Sequence, residues 1–175
     1  MAKIDVMIEQ PDPYIARLKS LAGADDPLSV LKETPSLLRR LLADLPADVT
    51  TRRPQPQKWS ISEVLAHLAD SEIVFAHRLR LVLSGGQAKL TAFDQDVWAE
   101  SFRYAQCDAA DSLALFSAIR DANLALVARV PREYLARAGT HEEWGTETAA
   151  ALLQIEAGHD RNHLAQIDRI LEVIA

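Results

Sequence analysis

The chain has 175 residues, of which 28 are Ala and 24 Leu against 6 Gly and 8 Pro, a composition that suits one domain of long helices and excludes a turn-dense β architecture. A formal net charge of −6 without any cationic run argues against a nucleic-acid partner, and the lone Cys107 rules out an internal disulfide or a thiolate-only zinc site. No apolar run approaches the ~18 residues of a bilayer span and the N-terminus lacks the pattern of an export signal, so no membrane partner is expected and the expected compartment is the cytoplasm.

Residues 1–25 read as an N-terminal extension with a short helix that starts at Asp12, with Pro13 in the first helical position, where the missing amide costs nothing. Residues 26–175 read as the main domain. Its first long helix is predicted over 28–45, capped by Asp26, with Pro35 forcing a kink or a restart behind Thr34. The second begins most clearly: Ser60 and Glu63 form a capping box, and Ser84-Gly85-Gly86 ends the helix. A long connection follows, and its DQDVW segment suits a lid or wall better than a linker. The third helix is predicted to begin near Asp108 or Asp111 and to stop at Val130 before Pro131, and the fourth runs over 146–174. Strand patterns are almost absent, and four helices of roughly 18 to 28 residues predict an all-α four-helix bundle.

On the fourth helix, 100° steps place Leu152, Ile155, His159, His163, Gln166, Ile170 and Ile174 on one face. Burying an unpaired polar group costs ~1 to 3 kcal/mol, so two imidazoles in an apolar stripe require partners. A hydrogen-bonded core pair and a pair of metal ligands both satisfy that requirement, and the i, i+4 spacing aligns the rings for either. On the second helix His67 lies at the edge of the inward sector and can face the same interior. His77 is rotated about 80° from His67 toward the polar side, which suits a surface or interface position. His141 falls in a loop before the last helix and is expected to be solvated and outside any inner ligand set.

The segments KWSISEVLAHLADSE (58–72), FDQDVWAE (93–100) and GHDRNHLAQI (158–167) together resemble the DinB-like superfamily, most of all its YfiT-like branch of metal-dependent hydrolases. The resemblance covers about residues 28–171. It implies a four-helix bundle in up, down, down, up order and a divalent metal held by His67, His159 and His163. Three neutral imidazoles without an obligatory fourth protein ligand leave such an ion coordinatively open, as catalytic sites require. Zinc or nickel is expected before manganese or iron. The resemblance further implies a homodimer and a small-molecule substrate. The superfamily includes S-transferases that use low-molecular-weight thiols such as bacillithiol, so thiol transfer and hydrolysis are both expected reaction classes. The alternative is a non-catalytic bundle in which the metal serves structure or an interface.

Supporting residues follow from helical phase. Glu156, one turn before His159, can accept a ring N–H or act as a base, or simply sit at the rim of the stripe. Arg120 and Asn123 fall in the apolar sector of the third helix, where they can meet Glu156 or a substrate carboxylate, although a long arginine also snorkels. Asp94, Asp96 and Trp98 resemble a recurrent element of the YfiT-like branch that shapes the cavity mouth, with Trp98 expected as a packing anchor. A di-iron site fails for want of a second Glu-x-x-His, and Cys107 has no histidine partner for nucleophilic catalysis.

Overall fold

In the computed structural model, which describes residues 13–174, four long helices form the bundle: α2 (Pro27–Leu42), α4 (Ile61–Ser84), α6 (Ala109–Arg129) and α7 (Ala149–Ile174). Helix α2 packs against α6 and α7, and α4 packs against the same two. Shorter helices α1 (Pro13–Ala22), α3 (Ala47–Thr50) and α5 (Gln95–Ser101) complete the α-helices of the described residues, and 3-10 turns occur at Tyr104–Gln106 and Arg132–Ala136. Asp12, the expected start of the lead-in helix, lies outside the described residues; α1 begins at Pro13.

Capping chemistry fixes the two best-defined starts. At α4 the Glu63 amide donates to Ser60 Oγ (3.3 Å) and the Ser60 amide to Glu63 Oε2 (2.8 Å), so each side chain satisfies an open amide of the first turn. At α6 Asp108 accepts from the amides of Ala110 and Asp111. Asp26 caps α2 in the expected place, but the helix ends at Leu42 and not at Leu45. The last three positions lead instead into α3, whose N-cap is Pro46.

Helix α2 runs through Pro35, and this has a tertiary consequence. A proline has no amide to give the carbonyl four residues earlier, which here is that of Leu31. That carbonyl accepts from Arg120 Nη1 at 3.0 Å. Arg120 from α6 therefore replaces the backbone donor that Pro35 lacks.

A three-stranded sheet departs from the expected near-absence of strands. Strand β1 (Ala88–Leu90) pairs parallel to β2 (Ala138–His141), which pairs antiparallel to β3 (Gly145–Thr148). Strands of three or four residues are too short for their alternation to stand out in a sequence. Because β3 takes up Thr146 to Thr148, α7 starts at Ala149 and not at Thr146, and Thr148 Oγ1 accepts from the Ala151 amide.

Helix α1 lies on α7, contributing Ile15, Leu18 and Ala22 to the core. Contact is backbone to backbone at Gly158, where an added Cβ would sit 1.9 Å from the Leu18 carbonyl oxygen. Only glycine allows this approach. Gly158→Ala must push α1 off α7, and urea unfolding is expected to show a loss of at least about 2 kcal/mol.

Candidate metal centre

Helix α4 supplies His67 and helix α7 supplies His159 and His163, all buried. Nε2 of His159 lies 3.2 Å from Nε2 of His67 and 3.1 Å from Nε2 of His163. Trp59, immediately before the capping serine of α4, packs on the His67 ring with centroids 5.1 Å apart. The spacing from Trp59-Ser60 to His67 thus joins the helix start to the ring it positions.

Burial pushes each imidazole toward its neutral form. His67 falls to about 3 through burial and the neighbouring His163, and His163 to about 4 through burial. His159 is lowered well below its ordinary value by burial and by both other rings. His163 Nδ1 lies 2.8 Å from Gln166 Oε1 and donates to it as the neutral tautomer with its lone pair at Nε2. Neutral rings with Nε2 lone pairs turned toward one point repel unless a cation or proton lies between them. A tetrahedral centre with metal–nitrogen bonds of 2.0 to 2.1 Å has N···N edges of about 3.3 to 3.4 Å. The observed separations fit this donor set, and the three residues can hold one divalent ion.

Behind the triad is a buried charge cluster. Arg120 is fully buried, not snorkelled, and it uses all five N–H donors. Nε and Nη2 bond to the two oxygens of Glu72 (3.0 and 2.8 Å), Nη1 and Nη2 to Asp160 (2.5 and 3.0 Å), and Nη1 also to Leu31 O. One side chain of α6 thereby bonds to the three other bundle helices. Glu156 Oε1 stands 3.6 Å from Arg120 Nη2 and 3.9 Å from His159 Nδ1. The latter separation is too long for a hydrogen bond, and Glu156 Oε1 and His159 Nδ1 both lack hydrogen-bond partners among the described residues. Burial, then the adjacent Glu72 charge, raises the Glu156 carboxyl well above the usual range. Glu156 is thus the carboxyl beside the triad that burial pushes toward its protonated form.

Asn123 meets neither Glu156 nor the cavity lining: Nδ2 donates to Glu72 Oε1 (2.8 Å) and Oδ1 accepts from Arg80 (2.7 Å). Glu72 and Asp160, the two carboxylates that neutralise Arg120, were not singled out by helical phase. The signal existed for Glu72, which shares the i, i+3, i+7 stripe of Leu65, Leu68, Phe75 and Leu79. Asp160 is different, because residues 155–160 of α7 are all buried. With α1 covering one side and the bundle the other, this turn has no polar face for a stripe to exclude.

The triad opens on a cavity of about 610 Å³ lined by α4, α7, α1 and the connections around the sheet. Phe93, Gln95 and Asp96 contribute to its wall, in line with the wall role expected of that segment. Asp94 caps α5 through the amides of Asp96 and Val97. Trp98 is a packing anchor between Phe93 (4.7 Å) and Phe102 (5.4 Å). His77 is exposed. His141 is not a solvated loop residue: it ends β2, is buried, lines the cavity and packs on Trp144 at 3.7 Å. It lies outside the three-histidine cluster. Cys107, with Sγ against the Arg103 carbonyl, is not among the lining residues.

Comparisons with known proteins agree with this geometry. Two curated relatives carry names that propose a metal-dependent hydrolase. One, from Oceanobacillus iheyensis, is 26% identical over 140 residues, 80% of this chain and 81% of that protein. The other, YfiT from Bacillus subtilis, is 24% identical over 146 residues, 82% of this chain and 81% of its own. The solved structure of YfiT, described as a four-helix bundle of unusual topology, superposes with a TM-score of 0.76 at 21% identity, covering 98% of this chain and 91% of that one. No described helix is long and apolar enough to cross a membrane. The sequence profile of the DinB superfamily matches residues 31–167, and the chain belongs to that superfamily.

Proposed function

We propose that His67, His159 and His163 hold a divalent metal ion and that the protein is a metal-dependent enzyme acting on a small molecule. The observation that carries this reading is the convergence of three buried, neutral imidazoles, Nε2 to Nε2 at 3.1 to 3.2 Å, at the wall of an open cavity. A buried structural site would need no such cavity, which favours the enzyme over a metal-stabilised interaction module.

When bound, the ion supplies Lewis acidity, which acidifies a water or a thiol and polarises a carbonyl. The chain's own residues do the rest. Gln166 holds the His163 tautomer with Nε2 free. Trp59 and the α4 cap orient His67. Glu156, 3.9 Å from His159 Nδ1, is pushed toward its protonated form by burial and Glu72 and pulled back by Arg120. Hydrolysis is the first reaction class, supported by the names of the relatives. Thiol transfer is the second, and since Cys107 does not line the cavity, its thiol would be a low-molecular-weight one carried in from solution. Three imidazoles suit zinc or nickel before manganese or iron. The resemblance also supports a cytoplasmic homodimer, which light scattering tests for stoichiometry.

Metal analysis after purification without nickel resin tests the centre. Wild type is expected to carry about one ion per chain and His163→Ala less than a tenth of that, because removing one of three ligands forfeits at least the 10- to 100-fold that second-shell changes alone cost. Equal and negligible metal in both would remove the site.

A further inference from the structure

Two cations line the cavity, the exposed Lys58 and Arg78, and Arg78 is the one set partly into the protein. It lies on α4 eleven residues after His67, about 16 Å further along the axis but only about 20° around it, so both face the same side. Half-buried, it lines the cavity with the triad. Several other arginines close on carboxylates: Arg120 on Glu72 and Asp160, Arg53 on Glu63, Arg161 on Asp25. Among the described residues, no carboxylate comes within ion-pair distance of Arg78. Glu156, Glu143 and Glu142 act on it only through their fields.

Its neutral contacts do not complete it either. Nη2 meets the Thr91 carbonyl and His141 Nε2, the latter at 3.0 Å. The Glu143 amide approaches the other nitrogen of the same ring, Nδ1, at 3.2 Å. A neutral imidazole accepts at one nitrogen only, so these two donors compete for one lone pair. Nε is buried with no acceptor among the described residues. The guanidinium carbon stands 5.0 Å from the Trp144 ring and 5.9 Å from the Phe93 ring. Aromatic faces hold the fork in place but do not neutralise it. A charge taken partly out of water without a counter-charge costs stability that a ligand anion returns.

We propose that Arg78 is the anion-recognition residue of this cavity, which takes an elongated small molecule carrying a carboxylate at the end remote from the three histidines. Length is required because Phe75, Leu152 and Ile155 present an apolar wall in the same cavity and the two polar ends stand several helical turns apart along α4. A monoanion is preferred to a phosphate dianion because Glu142 and Glu143 already contribute negative field at Arg78. The proposal depends on the metal-enzyme reading only for calling this molecule the substrate; the binding itself needs no metal.

Phenylpropionate and phenylpropionamide, matched in shape and different in charge, are the probes, followed by tryptophan fluorescence and calorimetry on the full chain. Because a carboxylate also ligates metals, binding is measured in the metal-loaded protein, in chelated wild type and in His163→Ala. Chelated wild type and His163→Ala are expected to bind the acid at least tenfold more tightly than the amide, with the acid alone weakened by added salt. Arg78→Met should abolish that preference while leaving amide binding unchanged, and Arg78→Lys should retain part of it. Should Arg78→Met fail to fold, Arg78→Lys and the salt dependence of wild type still decide. Equal binding of acid and amide, binding of neither, or an equal loss of both in Arg78→Met would overturn the proposal. An acid preference seen only with metal present would overturn it too, while leaving the metal centre intact.

Discussion

Arg120→Met is expected to lower the free energy of unfolding by about 3 to 5 kcal/mol, the usual result of leaving buried charges without their partner. For a domain of this size that is a fall in Tm of roughly 6 to 20 °C. Glu72 and Asp160 are both inaccessible and both depend on the same guanidinium, and Leu31 O loses a donor that Pro35 cannot replace. The lost positive charge, and not lost volume, is the cause, because methionine nearly fills the same space. Converting Glu72 and Asp160 to Met and Leu as well should therefore recover most of the stability, since a well-packed apolar set often equals a buried ion cluster. Urea unfolding of the single and triple variants checks this. A triple variant no better than the single one would place the cost in shape and not in charge.

In chelated protein, stability should fall as the pH drops below 6.5. The three imidazoles have folded-state pKa values depressed below the ordinary 6.5, to about 3 for His67, about 4 for His163 and well below for His159. The unfolded chain thus binds protons that the folded chain refuses. Their contribution is fully present above pH 6.5 and is lost as the pH falls from there toward 4 and 3, each proton being worth about 1.4 kcal/mol per pH unit. Glu156 works in the opposite direction: its raised pKa means that the folded state holds a proton the unfolded state has released above the ordinary 4.5. Glu72, raised by burial against the pull of Arg120, adds to that opposition. Three histidines still outnumber the two carboxyls, so the net loss between about pH 6 and pH 4.5 should be on the order of one proton, about 1.4 kcal/mol per pH unit. Replacing all three histidines with glutamine should abolish the loss and leave the opposite slope of the two carboxyls. Stability measured by urea titration at several pH values decides, and a flat wild-type profile would mean that the rings are not held neutral by burial.

Both effects come from groups of very different legibility. The histidines were readable because helical periodicity is local: His159 and His163 share a stripe with Leu152 and Ile155 in any straight helix. Ser60 and Glu63 likewise announce a helix start through bonds that span only three residues. The bundle class, its four long helices and the residues that converge were therefore determined by the sequence itself, through local geometry and the resemblance carried by three short segments.

Tertiary structure decided what surrounds them. Asp160 is hidden because Arg120 of α6 meets it in the bundle interior, while Gly158, about 200° around α7 from it, admits the Leu18 carbonyl and so lets α1 cover the opposite side. Leu31 O becomes an acceptor for α6 only because Pro35 withholds an amide in α2. His141 and Trp144 reach the cavity through a sheet whose strands are too short to leave a pattern. Arg78 differs from Arg120 in nothing that its neighbours in sequence reveal; one is answered by two carboxylates and the other by none within ion-pair reach among the described residues. Whether a charge is satisfied depends on groups brought from distant parts of the chain, and a periodic pattern, which records only one helix at a time, carries no term for them.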